Sequence, residues 1–62
     1  MNELDSMVID ETAYIEMLSS AGFWQQISSG YLDTIQADVE QWKRQSDYPI
    51  RAVDSRGRIV AM

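Results

Sequence analysis

The reactive groups of this chain are ten carboxylates and five basic side chains, and the two kinds are not mixed along its 62 residues. Residues 1–42 carry Glu3, Asp5, Asp10, Glu11, Glu16, Asp33, Asp38 and Glu40 and no Lys or Arg. Residues 43–62 carry Lys43, Arg44, Arg51, Arg56 and Arg58 against Asp47 and Asp54. Paired carboxylates could serve as general acid and base, and clustered arginines could grip phosphate. The partners such chemistry needs are missing. There is no His and no Cys, so a serine nucleophile would lack its usual base and no zinc, iron or copper site is expected. Gly22, Gly30 and Gly57 are scattered rather than gathered into a phosphate-cradling loop, and no segment has calcium-ligand spacing. A chain this short can hardly enclose a substrate pocket. The expectation is a protein that is not an enzyme and needs no cofactor or metal.

What remains is recognition. The net charge of −5 hides an acidic majority and a basic C-terminal third, a distribution that speaks to partners rather than to fold. Asp33, Asp38 and Glu40, together with Glu11 and Glu16, could set carboxylates at spacings resembling nucleic-acid phosphates. The plainer role for such acids is a solvated face that keeps a small protein soluble. Arg51, Arg56 and Arg58 could contact phosphates, but nearly all the rest of the chain would repel them. No direct binding to nucleic acid is expected, and those arginines fit an acidic patch on another protein or another copy. Of six aromatic residues, the adjacent Phe23 and Trp24 cannot both point the same way, so one is a candidate interface anchor.

The elements that must position these groups are read from periodicity. Tyr14, Met17, Leu18 and Ala21 fall on one helical stripe, with Asp10 as N-cap and Gly22 after the last turn, predicting a helix over about 10–21. Trp24 and Ile27, three apart, suggest another helical turn or two across 23–29. Leu32, Ile35, Val39 and Trp42 recur at 3-4-3 spacing, with Lys43 and Arg44 in the last turn, predicting a second helix over about 31–46. Pro49 stops it. Asp54-Ser55-Arg56-Gly57 suits a type I turn closed by a left-handed glycine, predicting a hairpin over about 50–62 that pairs Val53 with Ile59, Ala52 with Val60 and Arg51 with Ala61. Met7–Ile9 could add a short N-terminal strand.

The expected architecture is therefore a single α+β domain spanning 1–62, with two main helices followed by a C-terminal β-hairpin. A domain of this size buries only about 60% of its unfolded surface, and with no disulfide or metal, self-association is the usual supplement. A dimer is expected, with Leu32, Ile35, Val39 and Trp42 as one candidate seam and Val53 and Ile59, on the second face of the hairpin, as another. No segment is long and apolar enough for a membrane span, and the acidic N-terminus is unlike a secretory signal, so a cytoplasmic protein with no membrane partner is expected. The favoured function is a small acidic protein-binding module, an inhibitor or adaptor that occupies a surface of a larger protein. By size and charge alone it fits a viral or mobile-element accessory. The rivals are a homo-oligomeric assembly component and a nucleic-acid mimic.

Overall fold

The computed structural model describes residues 11–62, and within them the architecture is one helix on one four-stranded antiparallel sheet. The elements run β1 (Thr12–Leu18), β2 (Trp24–Tyr31), α1 (Ile35–Gln45), β3 (Ile50–Asp54) and β4 (Ile59–Ala61). Across the sheet the order is β2-β1-β3-β4. Two hairpins, β1–β2 and β3–β4, thus meet along the β1–β3 ladder, and α1 carries the chain from one to the other.

This corrects the expected layout of two helices followed by a hairpin. Residues 12–18, expected as helix, form the central strand β1. Ile15 explains the difference. On a helix it lies outside the Tyr14–Met17–Leu18 stripe, whereas on a strand Ala13, Ile15 and Met17 share one face and Tyr14, Glu16 and Leu18 the other. Ile15 is 1% exposed, a burial worth roughly 1.5–3 kcal/mol. Of the 23–29 segment, residues 24–29 are likewise strand. Trp24 and Ile27 serve opposite faces of β2, and a bulge where Ile27 and Ser28 oppose Ile15 turns Ile27 toward the core. Asp10, the expected N-cap, and Met7–Ile9, a candidate for a further strand, lie outside the described residues.

Gly22 ends no helix. It sits at φ 92° in the β1–β2 turn, where its N–H donates to Ser19 O at 2.9 Å and Ser19 N–H donates to Phe23 O at 2.7 Å. The β3–β4 turn repeats this pattern: Gly57, at φ 82°, donates to Asp54 O at 2.9 Å, and Asp54 N–H donates to Arg58 O at 2.9 Å. In both turns the side chain of the first residue accepts the N–H of the fifth: Phe23 N–H to Ser19 Oγ at 3.2 Å, Arg58 N–H to Asp54 Oδ1 at 2.9 Å.

The core lies between α1 and one sheet face. Ile35 and Val39 of the helix meet Ala13, Ile15, Ile50, Ala52 and Ala61, with Met17, Ile27, Leu32 and Trp42 packed around them. The helix begins only at Ile35, because residues 32–34 form a turn in which Thr34 N–H donates to Tyr31 O at 3.1 Å. It ends at an extended Ser46, whose Oγ accepts Tyr48 N–H at 3.0 Å just before Pro49. Gly30 seats the helix on β2: a Cβ there would stand 2.9 Å from Asp38 Oδ2 and 3.5 Å from Ile35 Cδ1.

The C-terminal hairpin also departs from its expected register. Val53 opposes Ile59, but the next pair is Ala52 with Ala61, because Val60 is an extra residue. The slip turns Ala61 inward, 6% exposed, and leaves Val60 40% exposed. The strand that joins this hairpin is β1, through pairs such as Glu16 with Arg51 and Ile15 with Ala52.

Candidate interaction surface

Strand alternation places a second set of side chains on the face away from α1. β1 contributes Tyr14, Glu16 and Leu18, β2 contributes Trp24, Gln26, Ser29 and Tyr31, β3 contributes Arg51 and Val53, and β4 contributes Ile59. Among the described residues no helix or strand lies over this face.

Its centre is a stacked trio. Arg51 Nε donates to Glu16 Oε1 at 2.8 Å, and the guanidinium carbon lies 4.0 Å from the Trp24 ring centroid. Arg51 thus reaches from β3 across β1 to a residue of β2, tying three strands together. Both charged side chains are about four-fifths covered, at 23% and 21% exposure for Arg51 and Glu16. Partial desolvation strengthens both contacts, and a cation over Trp is worth about 0.5–1 kcal/mol even where exposed. Around the trio lie Leu18, opposite Trp24, and Val53, which is only 7% exposed between its pair partners Tyr14 and Ile59. Tyr31 and Ile59 bound the patch at 67% and 52% exposure. The result is a mostly apolar, aromatic surface with one neutralised charge pair at its middle.

The sequence-derived candidates are distributed unevenly. Trp24, Arg51, Val53 and Ile59 come together on this face. Phe23 is exposed in the adjoining turn. Arg56 and Arg58 belong to the β3–β4 turn, where Asp54 binds both of their backbone N–H groups and the Arg58 guanidinium at 2.9 Å. Those hydrogen bonds, the Arg58 backbone N–H foremost, hold the Asp54 carboxyl below the usual carboxylate range, while burial opposes them. The three arginines therefore do not form one cationic patch.

The acids are also apart. Asp33 is exposed ahead of α1, and Asp38 is half-buried over Gly30. Glu40 accepts from Gln36 Nε2 at 3.1 Å and stands 3.9 Å from Lys43 Nζ. Leu32, Ile35, Val39 and Trp42 pack into the chain's own core, so a seam between copies built on Ile35 and Val39 would have to open that core.

Tyr14, Leu18 and Tyr31 are not among the sequence-derived candidates, and Glu16 is one only as a member of an acidic row. For Tyr14, Glu16 and Leu18 the signal is the period-two alternation through Thr12–Leu18, masked by a helical stripe over the same residues. Among the described residues no group of three or more acidic side chains could hold a metal ion, and no helix is long and apolar enough to cross a membrane. A broad, open hollow lined by Thr12, Ser29, Gly30 and Tyr31 lies at one end of β1 and β2.

No protein-family model matches the chain. Nor does any curated protein or any solved structure match it.

Proposed function

We propose that this protein is a non-enzymatic protein-binding module that occupies a surface of a larger protein through the sheet face opposite α1. The observation that carries this reading is the Trp24–Arg51–Glu16 trio set among Tyr14, Leu18 and Ile59 on a face no described element covers. Trp and Arg dominate binding hot spots because each combines a large contact area with a directional group. The pre-paired Glu16–Arg51 bridge fixes both side chains before a partner arrives, which lowers the ordering cost of association. The partner surface that fits is apolar with one polar notch, rather than a strongly charged one.

Nucleic-acid mimicry is less well supported. It needs carboxylates in a free row, whereas Asp38 turns toward Gly30 and Glu40 is engaged with Gln36 and Lys43.

The test is capture from native host lysate with the tagged chain and two variants. Trp24→Ala with Ile59→Ser removes the face, and Asp33→Asn with Glu40→Gln removes exposed helix-side charge. The expected result is one near-stoichiometric partner held by the wild type and the charge variant and lost by the face variant. Retention by the face variant, with loss by the charge variant, would overturn the reading.

A further inference from the structure

The two outer edges of the sheet are unlike. β4 is three residues long and carries a bulge at Val60, both devices that blunt an edge. β2 is eight residues long and reads Trp24-Gln25-Gln26-Ile27-Ser28-Ser29-Gly30-Tyr31, without a charge or a proline. In a chain of net charge −5 a neutral strand of this length lets a second copy approach along the edge without charge repulsion.

Its backbone is also self-complementary. Ser19 and Phe23 are hydrogen-bonded at one end of the β1–β2 ladder, and Glu11 and Leu32 at the other. Alternation between those anchors turns the backbone groups of Gln25, Ile27, Ser28 and Gly30 toward β1 and those of Trp24, Gln26, Ser29 and Tyr31 outward. The bulge at Ile27 and Ser28 falls at the middle of the strand, so the outward groups are arranged palindromically about it. Among the described residues their N–H groups have no partner across this edge.

We infer that two copies of this chain associate by antiparallel pairing of β2 with β2 about a two-fold axis at the bulge, giving a continuous eight-stranded sheet. In this register Gln26 faces Ser29 of the second copy and Trp24 faces Tyr31 of the second copy, with both relations repeated by symmetry. Tyr31 O already accepts Thr34 N–H at 3.1 Å, so roughly six backbone hydrogen bonds close the junction. The two Trp–Tyr pairs are of the aromatic cross-strand type that stabilises sheets. An axis perpendicular to the sheet puts both helices on one side and joins the two faces away from α1 on the other. The inference rests on the strand edge and not on the binding role of the face, so either can fail alone.

The experiment is sedimentation equilibrium of the full chain from low to high micromolar concentration. The wild type is expected to approach twice its 7.1 kDa mass. Gln26→Pro removes an outward N–H only and is expected to stay at the single-chain mass with an unchanged circular dichroism spectrum. Two further variants fix the register: Gln26→Lys with Ser29→Lys, and Gln26→Glu with Ser29→Glu. Each alone is expected at the single-chain mass, and an equal mixture at the doubled mass. A wild type that stays at 7.1 kDa throughout overturns the inference and leaves the edge to a strand from another protein. A doubled mass that survives Gln26→Pro, or charge variants that do not pair on mixing, overturns it as well.

Discussion

The two faces of the sheet use the same alternating strands for different ends. Toward α1 they present small and branched aliphatic side chains (Ala13, Ile15, Ala52, Ala61) closed over by Ile35 and Val39. Away from it they present larger groups bearing polar tips (Tyr14, Trp24, Tyr31, Arg51), which remain partly in solvent. In β1 this division separates residues that are neighbours in the chain: Ile15 is sealed, while Tyr14 and Glu16 on either side are not. Adjacent positions should therefore differ in kind, one face answering for stability and the other for association.

The largest expected effect tests the sealed face. Ile15→Ala should cost about 2–5 kcal/mol in urea unfolding, since the cavity is walled by helix and sheet and cannot refill. Trp24→Ala reverses the pattern: it should cost about 1 kcal/mol of stability through the lost Arg51 contact, yet weaken partner binding by 2 kcal/mol or more, read by titration calorimetry with the captured protein. Equal losses in the two assays would erase the distinction between the faces. Ile59→Ser, half-exposed at the rim of the patch, should leave stability within about 0.5 kcal/mol of wild type while still reducing binding.

The smallest effect sharpens the comparison by pH. Asp54 has a folded-state pKa below its unfolded value, so the stability it contributes is present above the ordinary carboxylate range and is lost as pH falls through the folded pKa. The wild-type advantage over Asp54→Asn in urea midpoint should shrink as pH falls from neutral to below that range. An advantage independent of pH would mean the carboxylate charge is not what stabilises the turn.

How legible this molecule is in its sequence depends on which periodicity dominates each segment. The helix was readable because Leu32, Ile35, Val39 and Trp42 satisfy only one spacing, and all four pack into the core. β1 was not, because Tyr14, Met17, Leu18 and Ala21 make a helical stripe while Ala13, Ile15 and Met17 make a strand. Tertiary packing settled the matter in favour of burying Ile15, and Ala21 ended exposed in a turn. The decisive local signal was present twice. Asp54-x-x-Gly57 reads as a hairpin turn, and Ser19-x-x-Gly22 has the same form, but after an apparent helix its glycine looks like a C-terminal cap. Of the face, Trp24, Arg51, Val53 and Ile59 could be singled out from residue type. Their meeting depends on β1 lying between β2 and β3, a non-local arrangement no window of sequence contains.

The likeness of the two turns has a consequence for the whole sheet. The same offset in the chain separates Ser19 from Asp54, Gly22 from Gly57 and Glu16 from Arg51. With β1 and β3 antiparallel at the centre, the two hairpins are related by a local half-turn whose axis passes through the Glu16–Arg51 pair. Leu18 and Val53 exchange under that rotation, and so do Trp24 and Ile59. On the face away from α1 the likeness is confined to those two pairs, because Tyr14 and Tyr31 have no counterpart on the second hairpin, whose β4 is only three residues long. What distinguishes the two sides is an anion on one side of the axis and a cation on the other, with the large aromatic beside only one of them. The central ion pair is thus a polarity mark at the axis that relates those two matched pairs.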